Sequence, residues 1–308
     1  MKKVLVTGGA GFIGANLIKS LNKKNNSNII KIDNIRKIKK NIKLLKYKDF
    51  YDKDNFIELL NKKKFNSKLR LIVHLGACSD TTETNWEYLK YNNIHYTKKL
   101  YEFSKSINCK FIYASSASVY GKESGYIDKK INSYRPLNLY GKSKLEIDKF
   151  FFQNNQKKVI GLRFFNVYGS FENHKKKMSS PVTKFTEDLI KKKYCNIFKF
   201  EPRYEPYRDF IHVNDTLKII EYLSKNKEKG LYNVGTGFPN TFIEVARIII
   251  KHLGYGKMRF IQFPNHLKNR YQFFTKANIN KLRRNGFNNR MLNLNQGIKT
   301  YLKQSKFL

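Results

Sequence analysis

A tyrosine and a lysine four residues apart, Tyr140 and Lys144, have the types and spacing that proton transfer requires. On a helix, two such positions lie one turn apart on the same face. An ammonium group beside a phenol favours the phenolate and lowers the tyrosine pKa from its ordinary value of about 10. We therefore predict that Tyr140 takes or gives a proton near neutral pH. Alone, the pair is a weak signal, because both residue types are abundant in this chain.

A glycine-rich turn near the N-terminus strengthens this interpretation. Gly8, Gly11 and Gly14 stand three apart between a predicted strand, Lys3–Thr7, and a predicted helix, Phe12–Asn22. Glycines at such a place permit a tight turn, close approach of the backbone to a diphosphate and close packing of helix on strand. The amides at the start of the helix favour phosphate groups. The turn therefore predicts a dinucleotide site.

A second stretch upstream of the Tyr/Lys pair ends in hydroxyl groups. Residues Cys109–Ser115 form a predicted apolar strand that delivers Ser115 and Ser116 at its carboxyl end. A hydroxyl at this place could hydrogen-bond a substrate alcohol or carbonyl beside Tyr140. Another predicted strand, 71–75, encloses His74, which we interpret as a histidine of the core.

An acid follows the glycine turn at the spacing of a ribose ligand. The predicted strand Asn28–Asp33 ends about 20 residues beyond the glycines, where an acid commonly binds the adenosine ribose. Several cations that would suit a 2′-phosphate, and hence NADP, come next: Arg36, Lys37, Lys39 and Lys40. A solvated loop in a lysine-rich chain is the alternative interpretation, and both stay open.

The order of elements predicts the fold. Strands and helices alternate up to about residue 168, which indicates a parallel sheet with helices on both faces. We predict the α/β class, with a Rossmann-type doubly wound parallel sheet in residues 1–168 that binds the cofactor. Segments such as 210–235 are expected to return to it, and 165–169 is expected to be a turn. Residues 169–308 are expected to form mainly a smaller α/β substrate-binding lobe.

Composition limits the classes of protein. The net charge of +39 favours a nucleic-acid partner, but the lysines are spread along the chain among Asn, Ile, Tyr and Phe. We attribute the charge to coding bias and expect no such partner. No apolar run reaches the ~18 residues of a membrane span, and the N-terminal run is too short for a signal peptide, so we expect a cytoplasmic protein. The cysteines form no CxxC and indicate neither a disulfide framework nor a zinc site.

The order of glycine turn, serine strand end and Y-x-x-x-K is typical of the extended short-chain dehydrogenase/reductase family, which this sequence resembles. The resemblance runs from residue 1 to about residue 300. Four stretches are similar, more narrowly, to the ADP-L-glycero-D-manno-heptose 6-epimerase family: Gly76–Glu83, Phe165–Gly169, His174 and Lys175 with Met178, and Phe263–Thr275.

This resemblance implies a reaction. A bound NADP, one per subunit, takes a hydride from C6 of the heptose in an ADP-heptose and returns it to the other face. The stereocentre is inverted, which interconverts the D-glycero and L-glycero forms and supplies heptose for the lipopolysaccharide core. NAD remains a possible cofactor, and the family implies a homopentamer. Two alternatives stay open: another nucleotide-sugar epimerase or dehydratase of this fold, and a non-catalytic nucleic-acid-binding protein.

The resemblance also implies site residues. Tyr140 and Lys175 would be the acid/base groups on the two faces of C6, Lys144 would position the nicotinamide ribose, and Ser116 would join them as a catalytic residue. The implied cofactor site comprises Gly8, Gly11, Phe12, Ile13, Gly14, Asp33, Asn34, Lys40, Lys53, Leu75, Gly76, Ala77, Cys78, Ser79, Asn92, Lys144, Val167 and Lys175. The implied substrate site comprises Ser116, Asn166, Lys177, Lys184, Phe200, Glu201, Pro202, Arg203, Arg208 and Tyr271. No metal is implied.

Some of these positions have simpler interpretations, and others depart from the family. Arg208 could instead form a surface ion pair with Asp209, and Tyr271 could simply pack in the core or rim. Leu75 stands where the family has an acid near the cofactor. At expected substrate contacts, Lys177 and Lys184 replace a small hydroxyl residue and a histidine, and Pro202 and Arg203 replace Gly and Ser. We expect the hydride chemistry to survive these changes, whereas they put substrate affinity at risk.

Overall fold

The computed structural model describes residues 2–34, 45–62, 65, 68–122, 131–153, 158–200, 205–264, 271–305 and 307. Its strands are β1 Lys3–Thr7, β2 Ile29–Asp33, β3 Asp49–Asp52, β4 Leu69–His74, β5 Lys110–Ser116, β6 Val159–Phe164, β7 Asn166–Tyr168, β8 Tyr194–Lys199, β9 Tyr207–His212, β10 Gly230–Val234, β11 Pro239–Thr241 and β12 Lys257–Gln262. Its α-helices are α1 Phe12–Lys23, α2 Lys53–Asn61, α3 Trp86–Leu89, α4 Tyr96–Ser106, α5 Leu139–Gln153, α6 Pro181–Lys192, α7 Val213–Lys225, α8 Phe242–Leu253, α9 Asn280–Arg284 and α10 Leu294–Gln304. A π-helical segment, Lys90–His95, joins α3 to α4, and 3₁₀ turns span Ala117–Tyr120 and Asn173–Met178.

A seven-stranded parallel sheet in the order β3-β2-β1-β4-β5-β6-β10 forms the centre of the fold. The strand order reverses direction between β1 and β4. Ligands of open α/β sheets bind outside the carboxyl ends of the strands at such a point. Thr7 ends β1 and His74 ends β4, so the glycine turn and the residues after 75 begin on either side of this crevice. The predicted Rossmann-type doubly wound sheet is confirmed.

Each face of this sheet buries its own apolar core. One core joins α1 and α7 to the sheet through residues such as Ile18, Val73 and Ile219. The other joins α4 and α5 to the opposite face, with Leu100 and Leu145 among its members. Burial on both faces is why these strands are continuous apolar runs.

Two smaller sheets lie outside the large one: β11-β9-β7 and the parallel pair β12-β8. The predicted turn at 165–169 is wrong, because it contains β7. Only Phe165 separates β6 from β7, so the chain keeps its extended course past the end of the sheet and β7 pairs with β9. Of the segment 210–235, β10 pairs with β6 in the large sheet and α7 packs on its face, whereas β9 pairs with β7 and β11.

A third apolar core belongs to the C-terminal half. Val182 of α6, Ile249 of α8 and Ile298 of α10 are buried together in it. The position of the domain boundary at residue 168 stays a prediction. In the described ranges, no helix is both long and apolar enough to cross a membrane.

Candidate active site

Tyr140, Lys144 and Ser116 come together at the start of α5. Asn138 accepts a hydrogen bond from the amide of Gly141 (2.7 Å) and so begins the helix, which places Tyr140 and Lys144 on its buried face. The Lys144 ammonium donates to the Ala114 carbonyl (2.9 Å) and lies 5.9 Å from the centroid of the Tyr140 ring. The Ser116 side chain, at the end of β5, hydrogen-bonds the Tyr140 hydroxyl.

The pKa of Tyr140 is raised to about 12, so the prediction of a lowered value is wrong for this structure. Burial is the main cause, because a phenolate loses its hydration, and the hydrogen bond from Ser116 opposes it only in part. The Lys144 ammonium points to a carbonyl oxygen and lies over the ring, so it contributes little at the hydroxyl. Burial also lowers the pKa of Lys144 to about 8, against the attraction of Asp148. At neutral pH the phenol therefore carries its proton.

The glycine turn is packed too tightly for side chains. Gly8 has φ +66°, and a Cβ there would lie 2.7 Å from the Gly76 amide nitrogen. A Cβ on Gly14 would lie 2.1 Å from the Gly8 carbonyl oxygen. Gly11 precedes α1 and offers no side-chain cap to the first amides of the helix, those of Phe12 and its neighbours. Bare backbone over a helix N-terminus is a cradle that fits the diphosphate of a dinucleotide.

Replacing Gly14 by alanine is expected to disrupt this cradle. The new methyl group would overlap the Gly8 carbonyl, and relieving such overlap costs about 1–3 kcal/mol. Gly11→Ala is the matched control, because its Cβ would meet the same oxygen at 3.1 Å, a tight but passable contact. We expect Gly14→Ala to lower both the melting temperature and the dinucleotide bound per chain, and Gly11→Ala to lower them less. Equal losses in the two variants would contradict this account.

The acid at the end of β2 is held beside the glycine turn. Asp33 accepts hydrogen bonds from the amides of Ala10 (2.6 Å) and Asn34 (2.7 Å). The carboxylate is therefore held in a fixed position beside the turn. Lys53 begins α2 and contacts Asp54 (2.8 Å) and the Asn92 side chain (3.4 Å), which brings two further cofactor candidates together. Lys40 and the cations at positions 36, 37 and 39 lie outside the described residues.

The segment after β4 is fixed by a residue that the sequence analysis missed, Asn93. Its side chain accepts from the Cys78 amide (2.8 Å) and donates to the Cys78 carbonyl (3.0 Å) and the Ser143 hydroxyl (2.9 Å). Asn93 is buried in the π-helical segment, a feature that is frequent at functional sites. The sequence offered one signal for Asn93: it follows Asn92, and only Asn92 was named as a cofactor residue. Cys78 is half-buried, not fully buried, and burial raises its pKa.

The other residues of this segment line the crevice to different extents. Leu75, Gly76 and Ala77 are partly buried, whereas Ser79 is exposed. His74 is buried between the hydroxyls of Thr7 (2.6 Å) and Thr97 (2.9 Å), and burial lowers its pKa to about 3. It is therefore the neutral core histidine that the sequence predicted.

Lys175 lies on a separate element, the 3₁₀ turn after β7. Its ammonium is 3.7 Å from a carboxylate oxygen of Glu172 and 5.4 Å from the ring centroid of Phe12, the first residue of α1. Lys175 therefore faces the glycine-turn helix, and Val167, another cofactor candidate, is buried in β7 nearby in the chain. Lys184 is exposed on α6, with its pKa lowered by partial desolvation of the ammonium. The side chain of Lys177 is outside the described part of the structure.

Arg208 and Tyr271 meet in the C-terminal half. The guanidinium lies 5.0 Å from the Tyr271 ring centroid and hydrogen-bonds its hydroxyl, and the Phe200 ring stacks on the same tyrosine at 6.2 Å. Burial lowers the pKa of Arg208. Glu201, Pro202 and Arg203, also expected at this site, lie outside the described residues.

The alternative of an Arg208–Asp209 ion pair is wrong. Neighbouring side chains of a strand point to opposite faces. Asp209 is fully buried and accepts hydrogen bonds from the amides of Thr236, Gly237 and Ala277 at 2.8–2.9 Å. Arg208 is thus left to face Tyr271 on the other side of the strand. Asn166 donates to the Asp209 carbonyl (3.2 Å), so it lies at the base of this region. Among the described residues, no group of three or more His, Cys, Asp or Glu side chains could hold a metal ion.

Comparison with known proteins agrees with this geometry. A family model, the NAD dependent epimerase/dehydratase family, matches residues 4–235. The chain is 38% identical to an ADP-L-glycero-D-manno-heptose-6-epimerase of Alkalilimnicola ehrlichii, over 97% of this chain and 96% of that protein. It is 37% identical to the enzyme of the same name from Brachyspira hyodysenteriae, with the same coverage.

A solved structure gives the same result in three dimensions. The crystal structure of Helicobacter pylori ADP-L-glycero-D-manno-heptose-6-epimerase superposes with a TM-score of 0.83 at 29% identity, covering 100% of this chain and 97% of that one. The family match covers well over half of the chain, and the relatives are similar along almost all of it. The chain therefore belongs to the NAD dependent epimerase/dehydratase family.

Proposed function

We propose that this protein is an ADP-L-glycero-D-manno-heptose 6-epimerase, which inverts C6 of ADP-heptose with a bound nicotinamide cofactor. One observation carries the proposal. In a chain similar along 97% of its length to enzymes of that name, two side chains that can carry a proton, Tyr140 and Lys175, lie on different elements, and Lys175 faces the start of the glycine-turn helix. The product would supply heptose for the lipopolysaccharide core.

Two proton carriers are what an inversion requires. A hydride leaves one face of C6 and returns to the other, so the alcohol oxygen occupies two positions in the two half-reactions. One fixed side chain cannot reach both unless the sugar turns, whereas groups on two elements can serve one position each. When bound, the cofactor supplies the hydride acceptor and donor. Tyr140 then holds or gives the proton at one position and Lys175 at the other, while Ser116 orients the oxygen by hydrogen bonding.

We propose NADP as the cofactor, one per subunit. The glycine cradle fits the diphosphate; we expect Asp33 to lie near the adenosine ribose, and Asn34 and Lys53 to lie near its 2′-phosphate. Lys144 and the segment 75–79, fixed by Asn93, would hold the nicotinamide half. Titration of cofactor-free protein with NADP and with NAD, followed by fluorescence, tests this choice, and tighter binding of NAD would reject it.

The Arg208–Tyr271–Phe200 group is proposed to bind the ADP moiety. A guanidinium can hold a diphosphate through two parallel hydrogen bonds, and the two rings offer a surface on which a base can stack. Hydrogen bonds to charged groups are worth about 1.5–3 kcal/mol each.

Arg208→Met is therefore expected to raise the KM for ADP-heptose by roughly 10–100-fold, with a smaller effect on kcat, because the diphosphate is held in ground and transition states alike. Arg259→Met is the matched control, since Arg259 stacks on Tyr194 (3.6 Å) in the exposed strand β12. The control should leave KM within about twofold. An unchanged KM in Arg208→Met would remove Arg208 from the substrate site.

The decisive experiment combines released ligand and turnover. Mass spectrometry of the denatured protein should find NADP, and NMR should show inversion of ADP-D-glycero-D-manno-heptose with no net change in NADPH absorbance. Activity on UDP- or dTDP-sugars alone would select another epimerase or dehydratase. Tight, steeply salt-dependent RNA or DNA binding without turnover would select the non-catalytic alternative. Neither dinucleotide nor conversion would overturn the proposal.

The finer properties of the protein are proposed with it. We expect a homopentamer, no nucleic-acid partner and a cytoplasmic location. Light scattering on the purified protein measures the number of subunits, and a monomer would contradict the first of these.

A further inference from the structure

We propose that Glu172 is a positioning residue for Lys175: its buried carboxylate holds the Lys175 ammonium against the start of α1. The inference rests on the proposed function, because it explains how one of the two proton carriers is placed. Glu172 itself is not proposed to touch substrate or cofactor.

The Glu172 carboxylate is held in place by residues other than lysine. Its side chain is 1% exposed. One oxygen accepts from the Ser180 amide (2.8 Å), and the other accepts from the hydroxyls of Ser180 and Thr183 (both 2.7 Å). A carboxylate anchored at the N-terminus of α6 has a favourable helix dipole and no freedom to follow the lysine. Lys175, 26% exposed and 3.7 Å away, is therefore the partner that adjusts.

The segment that carries Lys175 is also tied to α1. The Asn16 side chain donates to the Ser170 carbonyl (2.7 Å), and the Lys175 ammonium lies 5.4 Å from the Phe12 ring centroid. Lys175 thus lies between a carboxylate that is anchored at the start of α6 and an aromatic ring at the start of α1. A long, flexible side chain gains a defined position only from such fixed partners.

Other charged and titratable groups lie near this pair. Lys184 of α6 is attracted by Glu172 and by Asp188 and is repelled by Lys175. The buried Tyr301 of α10 is influenced by Glu172 and Glu187.

The arrangement predicts that the Lys175 side chain becomes freer when Glu172 is neutralised. Without the carboxylate, the ammonium loses the partner that lies 3.7 Å away and becomes more accessible to reagents in solution.

Competitive labelling of amines measures how firmly Lys175 is held. The holoenzyme and its variants are treated at one pH with a limiting acylating reagent, and the labelled fraction of the peptide containing Lys175 is quantified by mass spectrometry. We expect this fraction to rise by roughly two- to fivefold in Glu172→Gln, the factor that corresponds to a partly exposed ion pair. In Ser180→Ala, which keeps the carboxylate but removes a support, we expect a lower melting temperature and a much smaller rise in labelling. Unchanged labelling of Lys175 in Glu172→Gln would overturn the proposal.

Kinetics give a second, separate test. Glu172→Gln should lower kcat about tenfold with KM for ADP-heptose within about twofold, because Glu172 acts through Lys175 and does not contact the substrate. If Glu172→Gln fails to fold, Glu172→Asp keeps the charge farther from Lys175 and should give a smaller rise in labelling. The labelling result does not depend on turnover. A protein inactive on ADP-heptose would reject the proposed function, while increased labelling of Lys175 in Glu172→Gln would still establish the role of Glu172.

Discussion

Replacing Tyr140 by phenylalanine is expected to reduce inversion of ADP-heptose by ~10²–10⁴-fold, the range over which a positioned acid or base accelerates proton transfer. The change removes one oxygen atom and keeps the ring. Tyr140 is 9% exposed, so the ring stays in its packed place and the fold should be retained. What is lost is the hydroxyl that Ser116 hydrogen-bonds.

The pKa values of the two residues explain how the loss arises. With its pKa near 12, Tyr140 holds a proton that it can give to a carbonyl oxygen as the hydride returns. The Lys144 ammonium, which is proposed to hold the nicotinamide half of the cofactor, is charged below a pH of about 8 and loses its charge as the pH rises through that value. We therefore expect turnover to fall on the alkaline side of pH 8, as this hold on the cofactor weakens.

Tyr255→Phe is the matched control for this variant. Tyr255 is 39% exposed in the C-terminal half and should give wild-type rates when its hydroxyl is removed. Initial rates by NMR measure the inversion, and the dinucleotide released from each denatured variant shows that the cofactor is still bound. A Tyr140→Phe enzyme that retains a tenth or more of the wild-type rate, with its cofactor in place, would show that another group moves this proton.

The sequence predicted the cofactor half of the fold because its signals are local. The glycine spacing after a β-branched run gives β1 and α1 to within a residue of the predicted ends, and parallel strands bring their carboxyl ends to one edge. The rule brings Ser116, at the end of β5, to this edge, where α5 begins and carries Tyr140. The pairing of β7 with β9 could not be read in this way, since it joins segments about 40 residues apart whose local patterns fit other partners.

The properties of the site that the sequence did not predict depend on packing. The pKa of Tyr140 follows from its burial and from the direction of the Lys144 ammonium, and neither is visible in a four-residue spacing. The orientation of Arg208 was decided by Asp209, which turns inward to three backbone amides. Asn93 holds the segment after β4 because it lies in a π-helical segment, whose geometry directs side chains differently from an α-helix. Each of these is set by tertiary contacts.

Replacing Asp148 by asparagine is expected to destabilise the protein by about 3–5 kcal/mol, the usual effect of removing one partner from a buried ion pair. Asp148 and Arg163 are 0% and 1% exposed, with Nε 2.7 Å from a carboxylate oxygen. Tyr113 (2.9 Å) and Ser115 (3.0 Å) donate to the same carboxylate. Asparagine would leave the Arg163 guanidinium buried without its counter-charge, beneath the helix that carries Tyr140.

Asp188→Asn makes the same change in an exposed pair and isolates the effect of burial. Asp188 lies 2.9 Å from Lys192 on α6, with side chains 33% and 52% exposed, and such pairs contribute about 0.3–0.5 kcal/mol. Urea unfolding of both variants gives the two free energies of unfolding. Similar values would mean that Arg163 finds another partner or draws in water when Asp148 is neutral. A large difference, with unchanged dependence on urea concentration, would show that the charge pair holds α5 on the sheet and with it the position of the candidate acid/base.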